Sequence, residues 1–121
     1  MTVFIKRIYE QPTAEDGYRI LIDRLWPRGI KKVDAEIDEW LKEVAPSTEL
    51  RKWFNHEPEK WKVFTEKYAR ELQASPAYKS LQSLIEQHGC VTLVYAARDE
   101  QFNHAAALQQ MLRTDIKPHV G

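Results

Sequence analysis

The sequence predicts an α/β fold, with a small, mostly parallel sheet of three to four strands flanked by about five helices. Three observations carry this expectation. Two short runs rich in β-branched residues open the chain, Val3–Ile8 and Tyr18–Asp23. A third run, Cys90–Ala97 (CVTLVYAA), barely alternates between apolar and polar. Between the second and third runs the apolar residues recur at helical spacing instead. Strands separated by helical stretches place helices against a sheet.

Taken in order, the first run reads as a strand because branched side chains suit a pleated, half-buried surface. A turn-like stretch, Pro12–Gly17, leads to the second strand. This connection is too short for a helix, so antiparallel pairing of the first two strands is one expectation. Ile37, Trp40, Leu41 and Val44 then follow i, i+3, i+4, i+7, which predicts a helix with Asp34 as N-cap and Glu36 in its first turn. Pro46 stops that helix, and Ser47 is placed to cap the next, with Leu50, Trp53 and Phe54 as its apolar stripe. Pro58 suits a first helical position, followed by Trp61, Phe64, Tyr68 and Leu72 on one face. Trp40, Trp53 and Trp61, with Tyr68, read as core. Ser75-Pro76 repeats the cap-and-proline signal before Tyr78, Leu81, Leu84 and Ile85, and Gly89 stands where a helix closes. The third strand's weak alternation predicts helices on both its faces. Asp99 is then placed to cap a last helix carrying Ala105, Leu108, Met111 and Leu112. The tail, Lys117–Gly121, either pairs at a sheet edge or frays.

Composition narrows the class. The chain has 121 residues, and its 18 basic side chains balance 18 acidic ones. Hydrophobic residues make up 43% of it, enough for the core of one domain spanning residues 1–121. Neutral balance argues against a nucleic-acid binder that works through bulk charge. Lys31-Lys32, Arg51-Lys52 and Lys60-Lys62 are basic, but Asp34, Glu49 and Glu59 interrupt any continuous phosphate track. A single cysteine, Cys90, allows no internal disulfide and no cysteine-based zinc cluster; it reads as a buried structural residue. No run approaches the roughly 20 apolar residues of a membrane span, and the start carries no signal-peptide core, so a cytoplasmic protein is expected. The four glycines are too scattered for a G-x-G-x-x-G or Walker loop.

Chemistry concentrates where two strands end. In open α/β sheets, ligands bind beyond the carboxyl ends of the strands. Asp23-Arg24-Leu25-Trp26-Pro27-Arg28-Gly29 leaves the second strand, and the segment from Ala96 to His104 leaves the third. If those strands are parallel, Arg24, Arg28 and Arg98 converge beside a helix N-terminus. Guanidinium forks and free helix N–H groups both favour a phosphate or carboxylate. Asp23, Arg24, Trp26, Arg28, Tyr95, Arg98 and Asn103 are therefore the candidate ligand-binding residues, with Trp26 and Tyr95 as stacking surfaces. If the site is catalytic, His104 or His56 is the general acid–base, with Asp99 or Asp23 orienting it. Each has a structural alternative. Arg24 and Arg28 pair with nearby carboxylates, Asp99 caps a helix, His104 packs in a first turn, and His56 bonds backbone groups in a loop. No two of His56, His104 and Asp99 share metal-ligand spacing, and no metal is assigned.

The residues also resemble a known family. Tyr18–Gly29 (YRILIDRLWPRG), Trp40-Leu41 with Ala45-Pro46-Ser47, Leu50–Phe54 with His56, and Trp61, Phe64, Tyr68 and Glu71-Leu72 are similar to successive blocks of the bacterial YeaO-like proteins. So is Thr92–Ala97 with Asp99, Asn103, His104 and Ala105. This is a family of unknown function, domain of unknown function 488. The resemblance runs from about Ile5 to Leu112 and implies a small cytoplasmic α/β domain, with no reaction, cofactor or catalytic residue attached. Two function classes follow. The first is a protein binding a small anionic, phosphate- or nucleotide-like ligand, with or without catalysis. The second is a nucleic-acid-binding, regulatory or protein-interaction module, although no recognition-helix pattern is present. These residues assign neither a cofactor nor an oligomeric state.

Overall fold

In the computed structural model, which describes residues 2–115, the chain runs β1 (Thr2–Arg7), β2 (Tyr18–Leu21), a one-turn helix α1 (Lys32–Ala35) and β3 (Glu39–Trp40). It continues through α2 (Thr48–Phe54), α3 (Trp61–Gln73), α4 (Pro76–His88), β4 (Cys90–Tyr95) and α5 (His104–Asp115). The sheet order is β1-β4-β2-β3 and every pair is parallel. The run with the most continuous apolar character thus becomes a strand with a neighbour on each side.

The antiparallel pairing expected of β1 and β2 does not occur. β4 lies between them and pairs in parallel with both, in the registers Ile5↔Leu93 and Ile20↔Leu93. Residues 8–17 must therefore return from one end of the sheet to the other, and they do so with a 3-10 turn, Ala14–Asp16, in place of a helix. The return is pinned to all three strands. The Thr92 hydroxyl donates to the Asp16 carbonyl at 2.7 Å, and the Asp16 carboxylate accepts from Arg19 Nη1 at 2.6 Å and Lys6 Nζ at 3.1 Å. Burial alone would raise the Asp16 carboxyl, but hydrogen bonds from Thr13, Lys6 and Arg19 outweigh it and hold the group below its usual value. Gly17 has φ +66, and a Cβ there would fall 2.4 Å from the Cys90 carbonyl oxygen, so only glycine lets the chain pass. Cys90 beside it is half-buried rather than buried.

The long helices cover one face only, which corrects the expectation of helices on both faces of β4. Val3, Ile20, Val91 and Leu93 meet Phe54, Phe64, Tyr68, Leu72, Leu81, Ile85 and Leu108 of α2–α5 in one core. The opposite face, Ile8, Leu21 and Val94, is covered by Ala35 of α1 and by Trp26, Ile37 and Trp40. Tyr68 is fully buried, whereas Trp53 and Trp61 flank the main core half-buried.

The helix expected across residues 34–44 is absent. Asp34 lies inside α1, which ends with Glu36 at φ 47, and Lys42–Val44 forms a separate 3-10 turn. Pairing with β2 prevails over the helical period: Asp38 accepts from Arg19 N at 2.8 Å, and Trp40 Nε1 donates to the Asp23 carbonyl at 2.7 Å. The local signals further on hold, except that Ser75, at the N-cap position of α4, makes no side-chain capping bond. Ser47 Oγ accepts from Leu50 N, Pro58 opens a 3-10 turn that leads into α3, Pro76 starts α4, and Gly89 closes it at φ 76. The tail from Lys117 lies outside the described residues. Among those described, no helix is long and apolar enough to cross a membrane.

Candidate functional site

Because β2 and β4 are parallel, both deliver their carboxyl ends to the same edge of the sheet. A cleft of about 550 Å³ opens there, between the loop after β2, the end of α2 and the segment entering α5. Asp23 organises its floor. Its Oδ2 accepts from Ala96 N at 3.0 Å, which ties the end of β2 to the end of β4. Its Oδ1 lies 3.1 Å from His104 Nε2, and the same nitrogen lies 3.2 Å from the Ile22 carbonyl. Two acceptors face one ring nitrogen, so Nε2 carries the proton. The proton is better directed at the Ile22 carbonyl, which leaves the buried Oδ1 without a well-aligned donor.

Arg24 is held on the other side. Its Nη2 donates to the Ala45 and Pro46 carbonyls at 3.2 and 3.4 Å, and its Nε is buried without a partner. Among the described residues it forms no ion pair, so a half-buried cation lines the cleft with no carboxylate against it. Trp26 donates through Nε1 to the Ile30 carbonyl at 2.8 Å and meets Trp40 edge to face at 5.6 Å. Buried Pro27 and Gly29, at φ 76, then frame an exposed Arg28 that also has no ion-pair partner among the described residues.

The helix α2 brings Arg51, Lys52 and Phe54 to the cleft and ends in two consecutive left-handed residues, Asn55 at φ 47 and His56 at φ 55. Asparagine and histidine are both enriched in that conformation, and the turn leaves His56 exposed at the rim. The Asn103 side chain caps α5, accepting from Ala106 N at 2.8 Å and donating to the Asp99 carbonyl at 2.7 Å. Asp99, the expected cap, instead takes the N–H groups of Phe102 and Gln101, both at 2.9 Å. Those two bonds, with a smaller contribution from His56, hold its carboxyl below the usual value, so it is an anion committed to the loop.

The structure thus brings Asp23, Arg24, Trp26, Arg28, His56, Asn103 and His104 around one cleft. Three other candidates lie outside its lining. Arg98 is exposed elsewhere on the loop, and Asp99 contacts backbone as described. Tyr95 is 2% exposed in the helix-side core, where burial raises its hydroxyl, and so it offers no stacking face. Sequence reasoning missed Arg51, Lys52, Phe54, Phe64 and Phe102, which complete the wall. The available signal was Asn55-His56 directly after a short apolar stripe, marking a helix that ends abruptly. Among the described residues, four cations, Arg24, Arg28, Arg51 and Lys52, and a single carboxylate, Asp23, line the cleft. Among the described residues, no serine, threonine, cysteine or tyrosine lines it. Cys90 lies at the opposite end of β4. Among the described residues, no three His, Cys, Asp or Glu side chains are grouped to hold a metal ion.

Comparison with known proteins places this chain in a family. A family model described as "Inactive DUF488-N3 subclade" matches residues 2–120. The chain is 46% identical over 115 residues to the uncharacterised protein YeaO of Escherichia coli (strain K12), covering 94% of this chain and 99% of that protein. It is 44% identical over 110 residues to the uncharacterised protein Mb3100c of Mycobacterium bovis, covering 91% and 92%. No solved structure matches it.

Proposed function

Since the chain belongs to the DUF488 family, in the subclade described as inactive, we propose that it binds a small anionic, phosphate- or nucleotide-like ligand in the cleft without covalent chemistry. The observation that carries this reading is Arg24. A guanidinium held on two backbone carbonyls, half-buried and with no carboxylate partner among the described residues, is a cation that a bound anion would complement. Uncompensated charge away from water is costly, and a bound anion would relieve it. Arg28, Arg51 and Lys52 add donors at the rim, and the lining carboxylate, Asp23, is turned to Ala96 N and His104.

Binding is favoured over catalysis by what the cleft lacks. Among the described residues, no hydroxyl or thiol lines it to attack a substrate. His104 has the Asp23 contact of a general base, but in this reading the pair joins β2 to α5. The test is a thermal-shift series with inorganic phosphate, pyrophosphate and nucleotides, each against chloride at equal ionic strength. A specific ligand raises the melting temperature progressively, by about 2.7 kcal/mol of stability at a hundred times its Kd. A series in which none of these anions shifts the melting temperature would falsify the reading.

A further inference from the structure

We infer that the ligand of this cleft is a free mononucleotide, with its phosphate among the cations and its base against an aromatic wall. This rests on the anion-binding reading above and adds the other half of the ligand. A phosphate ion takes the room of about three waters, on the order of 100 Å³ at ~30 Å³ each. The cleft holds about 550 Å³, so a bare anion leaves most of it unfilled.

The remaining space has aromatic side chains on two sides. Phe102, half-buried, borders it from the helix layer above Phe54 and Phe64, which are buried with ring centres 4.4 Å apart. Phe102 is braced edge to face on Trp61 at 5.5 Å. Trp26 borders it from the loop after β2, with its N–H already donated to Ile30 and its ring set against Trp40. Phe102 and Trp26 are held by the fold with part of each ring exposed, and what they offer a ligand is π surface. A flat aromatic group joined to a phosphate meets both halves of the cleft, and a nucleobase on a ribose phosphate is such a group. Stacking is tolerant of which base it holds. Among the described residues Asp23 is the one lining carboxylate; its Oδ2 accepts from Ala96 N and its buried Oδ1 faces His104, so it is not placed to select a base by its amino group.

Calorimetric titration at fixed ionic strength with AMP, CMP, ribose 5-phosphate, inorganic phosphate and adenosine tests this. AMP and CMP are expected to bind within a few-fold of each other and at least tenfold more tightly than ribose 5-phosphate. Phe102→Leu keeps apolar volume but removes the ring. It should weaken AMP about tenfold and leave ribose 5-phosphate unchanged. In the unmodified protein, AMP but not ribose 5-phosphate should change tryptophan fluorescence, which keeps the test open if the variant does not fold. Ribose 5-phosphate binding as tightly as AMP overturns the mononucleotide and leaves the anion site standing. Adenosine matching AMP, or a short oligonucleotide binding more tightly than AMP, also overturns it. If none of the phosphates binds, the anion-binding reading itself fails.

Discussion

Arg28 stands between a buried proline and a glycine at φ 76, and neither carboxylate that would make it a structural brace reaches it. Asp23 is engaged by Ala96 N and His104, and Asp99 by two backbone N–H groups. A rigid frame around an unpaired guanidinium suits an anion donor whose direction is set beforehand. Arg28→Lys keeps the charge and loses the planar fork. The variant is expected to melt at the temperature of the parent protein while its affinity for AMP or pyrophosphate falls about tenfold, roughly 1.4 kcal/mol. A lower melting temperature with unchanged affinity would make Arg28 a brace. Asp23 should behave in the opposite way. Asp23→Asn can still accept from Ala96 N, but it loses the carboxylate beside His104. Urea denaturation should show a loss of about 1–3 kcal/mol, because the asparagine amide sets a buried donor against the His104 Nε2 proton with no acceptor for it.

At the scale of elements, the unusual part is the return from β1 to β2, where a turn and a buried aspartate stand in for a helix. Asp16 binds side chains from both flanking strands, Lys6 and Arg19, while its carbonyl holds Thr92 of the central strand. Its carboxyl lies below its usual value in the folded protein, so its contribution to stability is fully present above the unfolded value of about 3.9. That contribution declines as pH falls toward and through the folded value. Asp16→Asn should destabilise the protein by about 3 kcal/mol at pH 7, since Arg19 is left buried without its anion. The gap between the two proteins should narrow on acidification below pH 4, which equilibrium unfolding followed across pH would show. Nothing local announces this arrangement. β1, β2, β4 and the helix starts at Ser47, Pro58 and Pro76 are legible because branched runs, caps and prolines act within a few residues. The insertion of β4 between the first two strands depends on a residue 76 positions from its partner, the Thr92–Asp16 contact. The helical period at Ile37–Val44 misleads for the same reason, because Asp38 and Trp40 answer to β2 and the residues following it.

Across the whole molecule, the cleft is assembled from parts whose relation is set by one short segment, Val44–Ser47, and this explains which half of the site a sequence can disclose. Residues that follow β2 and β4 must gather where parallel strands end, so Asp23, Arg24 and His104 lie within reach of that rule. Arg51, Lys52 and Phe54 reach the cleft only because α2 is docked against α3 and the loop after β2. The Ser47 amide and hydroxyl both bind the Glu71 carboxylate, at 2.9 and 2.6 Å, and Arg24 holds the Ala45 and Pro46 carbonyls. The deepest tie is the Tyr68 hydroxyl, which donates to the Val44 carbonyl at 2.6 Å from a side chain with no exposed surface. Burial drives that hydroxyl well above its ordinary value, so it remains a protonated donor at any pH the protein meets. Tyr68 does not line the cleft, yet the carbonyl it holds immediately precedes the two that hold Arg24. Tyr68→Phe leaves the Val44 carbonyl buried and unsatisfied and should cost about 1–3 kcal/mol by denaturant unfolding. It should also weaken AMP binding a few-fold, because the Arg24 anchor and the start of α2 loosen together. If affinity stays at the level of the parent protein while stability falls, the segment supports the core alone and the cations of α2 are positioned by their own helix.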